Sequence, residues 1–65
     1  QISAAEIYYN HSQILAAVGQ DAPAQQYLDK AQAETTRKAN LIADEQQRHD
    51  FLHNVPINRQ ILAAK

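Results

Sequence analysis

The chain contains no cysteine, methionine or tryptophan, one glycine, one phenylalanine and two prolines. Without cysteine there is neither a disulfide nor a thiolate ligand for zinc. A single glycine excludes a glycine-rich phosphate loop, and no nucleophile-elbow sequence occurs. Six Lys and Arg stand against seven Asp and Glu, a formal net charge of −1. The two signs are interspersed, and no basic stripe forms a footprint for nucleic acid or an anionic membrane surface. No apolar run approaches the roughly 20 residues of a membrane span, and no signal-peptide pattern opens the sequence. An enzyme is therefore not expected, and neither a nucleic-acid nor a membrane partner is. The cysteine-free composition fits a reducing compartment, so a cytoplasmic location is the expectation.

What is present is alanine, glutamine and short apolar groups without β-branched runs, which predicts an all-α fold. At 65 residues this is one small unit, of a size that buries only about 60% of its unfolded surface. Small scaffolds of this kind lean on a disulfide, a metal or a partner chain. The opening residues already read as helix, so the sequence is expected to be a fragment of a longer protein.

The spacing predicts a first helix over residues 2–18. Ser3 is its N-cap, and Glu6 stands three residues on at capping-box spacing. Ile7, Tyr8, Leu15 and Val18 are its apolar positions, with Ala4, Ala5, Ala16 and Ala17 around them. Gly19 sits where a helix needs a left-handed terminating residue. Asp21 reads as the next N-cap, with Pro23 in the first turn of a second helix over residues 22–42. Ala24, Tyr27, Leu28, Ala31, Ala39 and Ile42 mark its apolar side. Gln25, Asp29, Lys30, Glu34 and Lys38 mark its polar side, with Glu34 and Lys38 forming a four-apart ion pair. A break is expected near Ala43, with Asp44 capping a third helix that ends near His53. An uninterrupted helix over 22–53 is the alternative. Pro56 pushes Asn54 and Val55 out of helical geometry and opens a fourth helix ending near Ala64. These elements divide the chain into a hairpin, 1–42, and two closing helices, 43–65.

The hairpin resembles a tetratricopeptide repeat, a helix–turn–helix of about 34 residues with the pattern W-x₂-L-G-x₂-Y, A-x₃-F, P. Aligned on the turn glycine, Tyr8 stands at the Trp position, His11 at Leu, Ser12 at Gly and Leu15 at Tyr. Ala24 stands at Ala and Leu28 at Phe, with Ala31 at the repeat's third small position. Thr36 replaces the closing Pro, so the second helix is expected to run on. The segment "LIADEQQRHDFLHNVPINRQILAA" is similar to the endings of tetratricopeptide arrays in large bacterial signalling proteins. It carries Ile42, Asp44, Arg48, Phe51, Leu52, Asn54, Val55, Asn58, Arg59, Ile61 and Leu62 of that ending. The resemblance implies a terminal repeat with capping helices, a scaffold for a protein or peptide partner with no catalysis and no cofactor. In such repeats the inner helix lines a peptide groove, which here maps to Glu6, Tyr9, Gln13 and Ala16. An independent small helical dimerisation domain is the alternative reading.

Repeats stack, each burying its apolar face on the next, so a terminal one needs a cover. The apolar tail is expected to fold back over that end, with Phe51 in the core. The opposite end, bordered by Ile2, Ala5, Tyr9 and parts of the second helix, is expected to be open and to drive homo-oligomerisation. Of the two adjacent tyrosines, which point about 100° apart, Tyr8 is expected inside and Tyr9 on the surface. Glu45, His49 and His53 share a helical face, so His49 and His53 are weak candidates for a metal, but a solvated face is the expected reading and no metal is assigned. Arg48 and Arg59 are expected in ion pairs or at helix C-termini.

Overall fold

The computed structural model describes residues 3–64. Within them lie four helices and no strand: α1 (Ala4–Ala17), α2 (Asp21–Asn40), α3 (Glu45–His53) and α4 (Pro56–Ala63). The all-α fold follows from the composition, and each boundary has a local cause.

The Ser3 hydroxyl accepts the Glu6 N–H at 3.2 Å and opens α1. At its end Gly19 takes φ +82°, and the Gly19 and Gln20 amides return to the Ala16 and Leu15 carbonyls. This is the Schellman arrangement, which satisfies carbonyls that the helix leaves without partners. The expected Asp21 cap is displaced by one residue. Gln20 is the N-cap, makes no side-chain capping bond, and leaves Asp21 as the first residue inside α2. The tight turn used Gln20 to close α1, so α2 starts at once behind it. Asp21 still places a negative charge in the first turn, where the helix dipole favours it.

The break near Ala43 is present. Asp44 accepts the Gln47 N–H at 2.9 Å. The Arg48 guanidinium reaches back to the Ile42 carbonyl, with Nε at 3.1 Å and Nη2 at 2.8 Å. It thus fixes the angle between α2 and α3 through the carbonyls of the bend. At the second corner Asn54 bonds Asp50 through side chain and backbone. Pro56 occupies the first helical turn of α4, where its missing N–H costs nothing.

The helices α1 and α2 form an antiparallel hairpin, and small residues carry its interface. Ala5 and Ser12 on α1 are buried, as are Ala24, Ala31, Thr35 and Ala39 on α2. Such residues allow close axial approach, because interhelical distance is set by the side chains at the contact. The larger α2 core residue is Leu28, 6% exposed. Helix α4 lies against α2 and buries Ile61 completely against Ala5 and Ala31, with Tyr8, Tyr9 and Ile57 around them.

Several expectations are corrected here. Ile7 and Val18, assigned to the apolar side of α1, are 55% and 67% exposed. They lie opposite Ala5 and Ser12, and it is the small face that α2 and α4 cover. Ala5 is therefore core rather than the border of an open end, and Tyr9 packs beside the core as Tyr8 does. Ile2, also assigned to that border, lies outside the described residues. Phe51 is half-buried rather than fully enclosed. Glu34 pairs with Arg37 on the next turn instead of Lys38. Arg37 presents two guanidinium nitrogens to one carboxylate oxygen, geometry that an ammonium cannot match.

Candidate functional site

The mapped groove residues Glu6, Tyr9, Gln13 and Ala16 do lie on one side of α1, but α4 crosses that side. Its N-terminal residues Ile57 and Asn58 share a recess of about 250 Å³ with Ser3, Ala5, Glu6, Thr35, Lys38, Phe51 and Val55. Its C-cap Ala64 borders a second recess of about 300 Å³ with Ser12, Gln13, Ala16, Asp21, Ala24, Gln25 and Leu28. Helix α4 thus runs parallel to α1 and antiparallel to α2. Tyr9 packs beside the buried cluster between the two recesses. The four groove positions are consequently divided: Glu6 in one recess, Gln13 and Ala16 in the other.

In the second recess Ser12, Ala24 and Leu28 are buried, and Gln13, Ala16, Asp21 and Gln25 are exposed. The first recess holds Glu6 and Lys38 at its edge over Phe51, Val55 and Ile57.

The position of α4 is held by polar groups that pattern reasoning did not single out. The Gln32 amide donates to the Ile61 and Ala64 carbonyls at 3.0 and 2.9 Å. Both carbonyls belong to the last turn of α4, where intrahelical donors run out. Buried Asn58 donates to the Phe51 carbonyl at 2.8 Å, tying α4 back to α3. Buried Thr35 returns its hydroxyl to the Ala31 carbonyl at 2.9 Å. Its place in the series Ala24, Leu28, Ala31 was the available signal, since it continues that stripe by one turn.

On another side of the hairpin the His11 and Tyr27 rings stack with centroids 4.3 Å apart and planes 2° from parallel. Tyr8 adjoins Tyr27 at 6.3 Å, and the Lys30 ammonium lies 4.9 Å from the Tyr27 centroid. The imidazole of His11 thus packs flat on a neighbouring ring.

The His49 and His53 rings stand 4.6 Å apart on α3. Among the described residues no group of three or more His, Asp or Glu gathers at metal-holding separation, so Glu45 does not complete a site with them. Arg48 is spent on the carbonyls of the α2–α3 bend, and Arg59 is exposed on α4. On the surface of α2, Glu34 and Arg37 shift each other's protonation. The hydrogen bond from Arg37 holds the Glu34 carboxyl below its ordinary range, and Glu34 in turn raises Arg37. No described helix is long and apolar enough to cross a membrane. Comparison with protein-family models, with curated proteins and with solved structures gave no match.

Proposed function

We propose that the chain is a protein–protein interaction module, a terminal tetratricopeptide-type hairpin closed by two short helices and without catalytic chemistry of its own. The observation that carries this reading is the two-sidedness of α1. Its small face is covered by α2 and α4, while Ile7, Ile14 and Val18 on the other side are more than half exposed. A unit stacked from both ends has this character: one face is met by its closing helices, and the other is available to a preceding repeat. The seating of Ile61 on Ala5 and Ala31 supports a covering role for α4. On this reading the module belongs to a bacterial cytoplasmic signalling protein, and its partner is a protein or peptide.

A competing reading is a self-sufficient helical domain, favoured by the complete enclosure of Ile61. The two are separated by fusing a consensus tetratricopeptide repeat in phase before Gln1. Stacking raises the melting midpoint of the hairpin and merges the two units into one transition. Two independent transitions, with the hairpin's midpoint unchanged, refute the repeat reading and leave the self-sufficient domain.

A further inference from the structure

Helix α3 carries two of the chain's three histidines, His49 and His53. Four residues apart, they lie one above the other on a single helical face. Their rings stand with centroids 4.6 Å apart and planes tilted by 44°, and both residues are exposed. The bonds that shape α3 use other side chains. Asp44 caps its start, Arg48 holds the bend, and Gln46 and Asn54 donate to Asp50. The two imidazoles take no part in these bonds. They are a matched pair of nitrogen donors, and imidazole is the commonest side-chain ligand for a metal.

We propose that His49 and His53 form a two-point chelate for a divalent transition metal of the zinc class, with water in the remaining coordination positions. Two imidazole nitrogens at a metal–nitrogen distance of roughly 2.0–2.1 Å stand about 3.3 Å apart in a tetrahedral site. Rings with centroids 4.6 Å apart accommodate that spacing by turning about their own side-chain bonds. The local field favours a cation. His53 is the last residue of α3, at the end where the helix dipole is negative. Glu45, one turn before His49 on the same face, does not complete a set of three ligands but places a carboxylate nearby. The adjacent cation, Arg48, is turned to the Ile42 carbonyl. A pair of nitrogen donors selects zinc, nickel or copper over calcium and magnesium, which take oxygen ligands.

Ligand number sets the strength. Two ligands supply about half the binding free energy of a four-ligand structural zinc site, which gives a dissociation constant on the order of 10 μM. The consequence for the fold is local. Helix α3 has nine residues, too few to persist alone in water, and the chelate clasps its last turn. That turn leads into the corner where Asn58 bonds the Phe51 carbonyl, so the metal braces the junction from which α4 departs.

The site goes beyond the interaction-module reading and does not depend on it. Zinc chloride at about 100 μM is expected to raise the melting midpoint of the 65-residue chain by about 5 °C, as linkage requires at ten times the dissociation constant. Calorimetric titration should give one zinc per chain. Hydrogen exchange should slow at the end of α3 on adding zinc and stay unchanged in α1. His49→Gln and His53→Gln should each remove the rise while leaving the metal-free circular dichroism spectrum intact, because both residues are exposed and glutamine suits a helix. His11→Gln should retain the rise, since that imidazole is stacked on Tyr27 away from α3. Calcium chloride at the same concentration should have no effect. No rise with zinc, a rise that persists in either α3 variant, or one that His11→Gln abolishes overturns the site. A rise that calcium reproduces overturns the metal class, and one zinc per two chains overturns the open chelate in favour of a bridge between copies.

Discussion

The tie between α4 and the hairpin is most sharply tested at Ile61. Its side chain is fully enclosed against Ala5 and Ala31, with Tyr8, Tyr9 and Ile57 alongside. Ile61→Ala removes three carbons, about 2.4 kcal/mol of transfer free energy at roughly 0.8 per methylene. The residual cavity adds to this, and measured large-to-small core changes of this type fall at about 2–5 kcal/mol. Alanine returns a few tenths through its better helix propensity, leaving a loss of about 3 kcal/mol. A domain this small rarely holds more than about 3–5 kcal/mol in total. With a urea slope near 1 kcal/mol/M, the midpoint followed by circular dichroism should fall by about 3 M or disappear. The matched control is Ile14→Ala, on the exposed side of α1. It should leave the midpoint unchanged or raise it slightly. Equal shifts for the two variants would refute the placement of Ile61 as the element that fastens α4.

Ser12 is 3% exposed and its neighbour Gln13 is exposed, so Ser12→Leu should destabilise by about 1–3 kcal/mol through overpacking while Gln13→Leu does not. Equal melting midpoints would show that the hairpin is not closely packed there. Gln32→Glu should loosen α4 more than Gln32→Ala, because a carboxylate cannot donate to the Ile61 and Ala64 carbonyls and sits at the negative end of the helix. Hydrogen exchange should show α4 amides losing protection before those of α1 and α2, and equal exchange in the two variants would count against it. For Glu34, a carboxyl held below its usual value stabilises the fold at neutral pH, and this contribution disappears as pH falls through the folded-state value. Both partners are exposed, so Arg37→Ala should barely alter the melting midpoint, and any difference from the parent should vanish in acid.

The parts that sequence pattern reached are those whose causes are local. Ser3, Gly19, Asp44 and Pro56 act within a turn of where they stand, so they mark boundaries without reference to the rest of the chain. Asp21 misled because two caps compete for one short turn, and the closing of α1 claimed Gln20 first. The faces of α1 could not be resolved in the same way. The helix is apolar on two sides, and which side is covered depends on α2 and α4, whose approach is governed by small residues rather than large ones. Hydrophobicity ranks Ile7 and Val18 above Ala5 and Ser12, whereas axial distance favours the smaller pair. The groove residues share one side of α1, as their spacing requires, but the crossing of that side by α4 is a long-range fact with no local signature.

A chain without disulfide or metal ligands of cysteine type must hold its last two helices by other means, and the structure shows how sparingly this is done. Helices of nine and eight residues, α3 and α4, are too short to persist alone in water. Each is instead anchored where its own backbone lacks partners. Arg48 satisfies the Ile42 carbonyl at the bend, Asn58 satisfies Phe51 at the end of α3, and Gln32 satisfies Ile61 and Ala64 at the end of α4. Such contacts add modestly when made, about 1 kcal/mol each, but leave a costly unpaired group when one partner is removed. They therefore fix direction more than they add stability, and the apolar contacts of Ile61, with Ile57 beside it, supply the attraction they steer. This division of labour explains why a tail rich in apolar residues buries only one of its large side chains completely: the polar anchors choose which face of α4 meets the hairpin, and Ile61 is the residue on that face.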